Sequence, residues 1–241
     1  MVGRLAAYFP LADPLAPIDL LDVYAGEGVD YVEFGWPANN PYLDGPDVRN
    51  AMKRAGLGDP GAALIAARGM LATHAARPRA LLMAYAEPEH PALADPSLLD
   101  AIDALLVVAP AADATRIGME TLARARGVAV SSFLGLPLAE ADIAAATRAD
   151  GYVMLQAAPG VTGPRTALDP DNAARIGTLR AQGIAAPILL GFGISNGAQA
   201  RAAMDLGADG VVVGSAVLRA ALKGHSVLAL CLKELRNALD V

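Results

Sequence analysis

The chain has 241 residues, 54% of them apolar and only 5% aromatic, so its core must be built mainly from Ala, Val, Leu and Ile, as in a parallel sheet covered by helices. Its 19 Lys and Arg stand against 25 Asp and Glu, a net charge of −6 with no basic run or aromatic-rich basic stripe, which argues against nucleic-acid binding as the main function. Residues 1–14 lack the order of a signal peptide, no apolar stretch approaches the length of a membrane span, and no shift of composition divides the chain; the expectation is one soluble, cytoplasmic domain over residues 1–241.

Short aliphatic runs alternate with longer helical patterns from end to end, the sequence form of βα units. The first candidate strand, Leu5–Phe9, is followed by a helical pattern through Ile18, Leu21 and Ala25 that stops at Gly26, and then by a second strand, Tyr31–Phe34. Ala80–Ala84 and Ala104–Val108 follow, and a helix through Met119, Leu122 and Ala123 closes at Gly127 before the fifth strand, Ala129–Phe133. Gly151–Leu155 is the sixth; Asp169-Pro170 opens a helical segment that ends at Gly183, and Pro187–Gly191 and Gly210–Val213 complete the set. Four strands are entered in one style, through Asp30, Asp103, Asp150 and Asp209. A polar turn residue followed by an apolar run suits a strand that starts at the quiet end of a barrel and is buried on both faces. Eight strands in this length predict an α/β fold, a (β/α)₈ TIM barrel in a single domain, with chemistry at the C-terminal ends of the strands. The alternative, a doubly wound open sheet, usually carries a Gly-rich first turn, and Pro10-Leu-Ala-Asp-Pro14 is not one.

Polar residues at strand ends are therefore the candidates for function. Glu33 sets a carboxylate inside the apolar strand Tyr31-Val-Glu-Phe34, where an acid needs a compensating reason. Asp44 follows in a Pro- and Gly-punctuated loop, and Asp-Gly-Pro taken alone is an ordinary turn or helix start. Together, two carboxylates after one strand can supply a proton donor and an acceptor on opposite sides of a substrate. In the second half, Gly160-Val-Thr-Gly163, Gly191-Phe-Gly-Ile-Ser195 and Gly214-Ser-Ala216 follow the last three strands. Each glycine alone reads as a turn and Ser215 as a plain cap, but three such turns on consecutive strands are how barrels hold a phosphate. His74, His90 and His225 have no carboxylate or Cys at metal-ligand spacing and are expected to be surface or satisfied histidines; Cys231, in the helical run Ser226 to Leu239, is expected to be a buried structural thiol. No Ser-His-Asp signature, Walker loop or Cys pair is visible.

At these residues the chain resembles the tryptophan synthase alpha chain family, nearly end to end. The resemblance is carried by Tyr8-Phe-Pro-Leu-Ala-Asp-Pro14, Val32-Glu-Phe-Gly-Trp-Pro37 with Leu43-Asp-Gly-Pro46, Leu82-Met-Ala-Tyr85, the three glycine turns and Asp209-Gly-Val-Val-Val-Gly-Ser-Ala216. The Glu-to-Asp spacing that ends in Asp-Gly-Pro is the most specific of these. The resemblance implies retro-aldol cleavage of indole-3-glycerol phosphate to indole and glyceraldehyde 3-phosphate, with no metal and no organic cofactor. It also implies that Glu33 moves the proton, Asp44 holds the indole N–H, and Gly163, Gly193, Gly214 and Ser215 bind the phosphate. Thr162 would orient Asp44 when the loop carrying Val161 closes, and Tyr8, Tyr85 and Phe192 would line the indole pocket.

Three stretches depart from the family pattern. Ala38-Asn-Asn-Pro41 stands where Phe-Ser-Asp-Pro is usual, so that Asn40 replaces an acid used at the contact with a beta chain. Val107-Val-Ala-Pro110 lacks the usual acid before Pro, and Leu134-Gly-Leu-Pro137 lacks the usual Ala-Pro-Thr. The expectation is an enzyme acting on indole-3-glycerol phosphate, either beside a beta chain or free-standing. Its competitors are a barrel lyase for another aldol-type phosphorylated substrate and a non-catalytic phosphate sensor or regulatory barrel; a sensor has no evident use for both Glu33 and Asp44.

Overall fold

The computed structural model describes residues 2–75, 77–163 and 168–240. Eight parallel strands close into a barrel in sequence order, β1 pairing with β2 on one side and with β8 on the other. They are β1 (Arg4–Pro10), β2 (Tyr31–Gly35), β3 (Arg79–Tyr85), β4 (Ala104–Val108), β5 (Ala129–Leu134), β6 (Val153–Gln156), β7 (Ile188–Gly191) and β8 (Gly210–Val213). Around them run α1 (Leu21–Gly26), α2 (Pro46–Ala55), α3 (Pro60–Ala72), α4 (Pro91–Ala94), α5 (Ala114–Ala125), α6 (Glu140–Ala146), α7 (Asn172–Ala181), α8 (Gly197–Asp205), α9 (Ser215–Ala221) and α10 (His225–Leu239). The expected TIM barrel is the fold. All eight expected strands are present, with small shifts of their ends. β6 starts at Val153 rather than Gly151: the Tyr152 N–H donates to the Ser131 hydroxyl at 3.0 Å, so a side chain stands in for the ladder there. β7 starts at Ile188 because Pro187 has no N–H to give.

Alternation along each strand divides the buried residues into two cores. Val32 and Phe34 of β2 join the large cluster between sheet and helices. Tyr8, Tyr31, Met83, Leu106, Tyr152 and Met154 fill the barrel interior. Glu33 lies between Val32 and Phe34, so the same alternation turns it inward, 3% exposed, at the level of Tyr8 on β1.

The four aspartates that open strands share one structural task. Asp30 accepts from Leu5 N at 2.8 Å, Asp103 from Ala80 N at 2.8 Å, Asp150 from Val130 N at 2.6 Å and Asp209 from Ile188 N at 2.7 Å. Each carboxylate at the entry of an even-numbered strand thus holds the first free N–H of the strand before it. Each also meets an arginine from the helical layer: Arg236 at 3.0 Å, Arg68 at 2.6 Å, Arg124 at 3.5 Å, and Arg180 on Asp209. The quiet end of the barrel is stitched four times in this way, which leaves the opposite end free for loops.

No helix among the described residues is long and apolar enough to cross a membrane. His74 bonds Asp22 at 2.8 Å and His225 lies 3.4 Å from Asp19. His90 departs from the expectation of a surface or satisfied histidine: it is buried under Trp36, its ring 4.8 Å away, with Nδ1 accepting from Ala92 N and Nε2 without a partner among the described residues. Burial lowers its pKa to about 4. Cys231 is partly rather than fully buried, packed against the helical core.

Candidate active site

At the C-terminal mouth of the barrel lies a cavity of about 500 Å³, counted out to its opening into solvent. Tyr8, Glu33, Asp44, Tyr85, Thr162, Phe192 and Gly214 all stand on its wall. Its remaining lining is apolar: Leu43, Val48, Met83, Val108, Phe133, Met154 and Val212. Gly163, Gly193 and Ser215 sit beside it, in the turns after β6 and β7 and at the first residue of α9.

Glu33 is held from across the barrel. The Tyr152 hydroxyl, at the foot of β6, donates to its Oε1 at 2.6 Å. Burial pushes the Glu33 pKa up; the Tyr152 bond draws it back, the Asp44 charge raises it again, and the result is about 7. A carboxyl so placed is divided between its acid and its base near neutral pH, the condition under which one group both gives and takes a proton.

Asp44 is 5% exposed and held at both oxygens. Tyr85, the last residue of β3, donates to Oδ2 at 2.8 Å, and the Thr162 hydroxyl to Oδ1 at 3.2 Å. Burial raises its pKa above the ordinary aspartate value, while the bonds from Tyr85 and Thr162 and the Arg49 charge work to keep it ionised. Arg49 of α2 also donates to the carbonyls of Pro41 and Tyr42, fastening the loop that carries Asp44.

That loop and the loop after β6 are bonded face to face. Gly45 N donates to Thr162 Oγ1 at 2.8 Å, and Thr162 N to Leu43 O at 2.9 Å. A Cβ on Gly45 would stand 2.2 Å from Thr162 O, so only glycine permits this approach. Behind Thr162, the buried Gln156 side chain accepts from Leu136 N at 2.8 Å and donates to Gly160 O at 2.7 Å, joining the loops after β5 and β6. Phe192 holds φ at 69° and packs its ring 5.6 Å from Phe133; a bulky residue in the left-handed region costs about 1–3 kcal/mol and is found where a site requires it. Gly193 follows at φ 109°, and Gly214 has open space where a Cβ would stand.

A reading of the sequence singles out neither Tyr152 nor Gln156, and meets Gly45 only as the middle residue of the Asp-Gly-Pro motif. Tyr152 lies in a strand run that spells only apolar core, and its partner Glu33 is 119 positions away. Gln156, a lone amide at the end of an apolar strand, carries a local signal that could have found it. Among the described residues, no group of three or more His, Cys, Asp or Glu is arranged to hold a metal ion.

Residues 4–236 match the family model described as tryptophan synthase alpha chain. The chain is 34% identical over 227 residues to the tryptophan synthase alpha chain of Synechococcus elongatus, covering 89% of this chain and 82% of that protein. It is 33% identical to that of Ralstonia nicotianae, covering 94% and 89%.

The chain belongs to the tryptophan synthase alpha chain family.

Solved structures agree on the fold. Tryptophan synthase of Mycobacterium tuberculosis superposes with a TM-score of 0.81 at 24% identity, covering 99% of this chain and 93% of that one. Subunit alpha from Legionella pneumophila gives 0.81 at 22%, with the same coverage. Against this family background the departures have local explanations. At Asn39 and Asn40 the backbone is held by the chain's own Glu87, which accepts from Asn39 N at 2.7 Å and Asn40 N at 3.4 Å. The strand-four end without an acid presents Val108 to the cavity, while its Ala109 carbonyl accepts from the buried Arg116 at 2.7 Å. At the third, the Leu136 N–H is taken by Gln156.

Proposed function

We propose that the chain is a carbon–carbon lyase that cleaves indole-3-glycerol phosphate to indole and glyceraldehyde 3-phosphate. The observation that carries this is the pair of buried acids, one poised near neutrality and one held toward ionisation, facing a common apolar cavity. Protonated Glu33 delivers its proton to the ring carbon that bears the glycerol chain. The resulting carboxylate takes the proton of the neighbouring chain hydroxyl, the bond between ring and chain breaks, and its electron pair returns to the ring. The protons balance and Glu33 ends as it began. Asp44, ionised, accepts the indole N–H and offsets the positive charge that develops on the ring. Tyr8, Tyr85 and Phe192 flank the ring. Gly163, Gly193, Gly214 and Ser215 take the phosphate on backbone N–H groups, with Thr162 keeping Asp44 in line.

The test is direct. Purified chain given indole-3-glycerol phosphate is expected to form indole and glyceraldehyde 3-phosphate in equal amounts. Tight binding without turnover would favour a sensor, and cleavage of a different phosphorylated aldol in its place would favour another lyase.

A second reading concerns the fate of the indole. Asn40 stands where the family usually carries an acid that meets the beta chain, and Glu87 of the same chain already occupies the backbone there. This favours release of indole into solution without a beta chain. Adding a tryptophan synthase beta chain then leaves the rate of indole-3-glycerol phosphate cleavage unchanged; a rise of about tenfold or more would mark an assembled synthase.

A further inference from the structure

The cavity contains one polar group that the reaction as written leaves idle. The Tyr8 hydroxyl is buried and has no hydrogen-bond partner among the described residues, although the side chain stands on the cavity wall. Three nearby phenols are engaged: Tyr24 donates to Tyr8 O at 2.7 Å, Tyr85 to Asp44 at 2.8 Å and Tyr152 to Glu33 at 2.6 Å. Nor is the Tyr8 ring loosely placed. It lies against Gly35, where a Cβ would come within 2.4 Å of the hydroxyl oxygen and 2.3 Å of the ring, so β2 keeps a bare backbone beneath it. Burial, then the charges of Asp44 and Glu33, hold the phenol protonated and therefore a donor. Phenylalanine would fill the same space without a stranded hydroxyl; a buried donor of this kind is expected to be completed by something outside the chain.

We propose that the Tyr8 hydroxyl hydrogen-bonds a hydroxyl oxygen on the substrate's glycerol chain, beside the bond that breaks, and so selects a hydroxylated chain over a bare one. This rests on the substrate reading given under Proposed function. A donor needs an acceptor, and the indole ring offers only its N–H, which goes to Asp44. The phosphate lies with the turns after β6, β7 and β8. Between them only the chain carries oxygen lone pairs, and it passes Glu33, the register partner of Tyr8 on the adjacent strand.

Tyr8→Phe removes a single oxygen atom and tests the assignment. Binding is measured by calorimetry in a Glu33→Gln background, so that the substrate survives, with two ligands. One is indole-3-glycerol phosphate; the other is indole-3-propanol phosphate, with the same ring, chain length and phosphate but no chain hydroxyls. Adding Tyr8→Phe is expected to weaken the first about tenfold or more and to leave the second within about twofold. Equal weakening of both, which would mark a ring or phosphate contact, or weakening of neither, overturns the proposal. The melting temperature of ligand-free Tyr8→Phe is expected at or above that of its parent; a fall of several degrees would assign the hydroxyl to the fold instead and also overturn it. If indole-3-propanol phosphate fails to bind even the wild-type chain, the substrate reading itself falls and takes this inference with it, a result distinct from the other two.

Discussion

Glu33 carries a cost that the fold does not recover. Its pKa of about 7 lies above the ordinary 4.5, so the folded chain binds this proton more tightly than the unfolded one. Burial is then harmless below about pH 4.5 and destabilising by about 3 kcal/mol once the pH has risen through 7. Glu33→Gln is therefore expected to raise the melting temperature by about 5 °C or more at pH 8 and by little at pH 4.5; an equal change at both would contradict the assigned shift. The same carboxyl must begin turnover protonated while Asp44 is ionised. The profile of kcat/KM against pH is expected to be a bell, its alkaline limb near 7 from Glu33 and its acid limb above the usual aspartate value from Asp44. Tyr85→Phe removes a bond that favours ionised Asp44, so the acid limb should move to higher pH and kcat/KM fall about tenfold. An unmoved limb would detach Tyr85 from Asp44. Glu33 could be picked out in the sequence because an acid within an apolar run is a local anomaly. Tyr152, which tempers it, is an unremarkable core residue until the barrel brings β6 opposite β2.

At the scale of elements, the mouth and the foot of the barrel call for opposite results. Gly45→Ala would drive a methyl group into Thr162 O and separate the loops after β2 and β6. The expected outcome is a rise in KM and a loss of about a hundredfold in kcat/KM with little change in melting temperature; an unchanged KM would show that the two loops need not meet. Asp103→Ala, at the foot, strips Arg68, Arg77 and the Ala80 N–H of their partner. It should lower stability by about 1–3 kcal/mol in urea unfolding and leave kcat unchanged. A large loss of kcat there would mean that the two ends of the barrel are coupled. The strands were legible because both their faces are buried and each is a continuous apolar run, and their Asp entries were visible as a repeat. What those aspartates bond was not, because each reaches the preceding strand 20 to 25 positions back in the chain. The loops were least legible: Gln156 and Glu87 act through backbone groups of other loops, and no period or spacing encodes those pairings.

For the whole molecule, closure of the barrel brings residues from all eight strands, or from the turns that follow them, to a single cavity, which is why motifs scattered over the chain read as one site. The central claim is that Glu33 moves the proton that breaks the bond. Its most direct test is the single-turnover rate of indole formation from indole-3-glycerol phosphate by Glu33→Gln beside wild type, with indole-3-propanol phosphate affinity measured on both. The expected result is a rate lower by about a thousandfold or more with affinity nearly unchanged. A Glu33→Gln chain that still forms indole within about tenfold of the wild-type rate would contradict it.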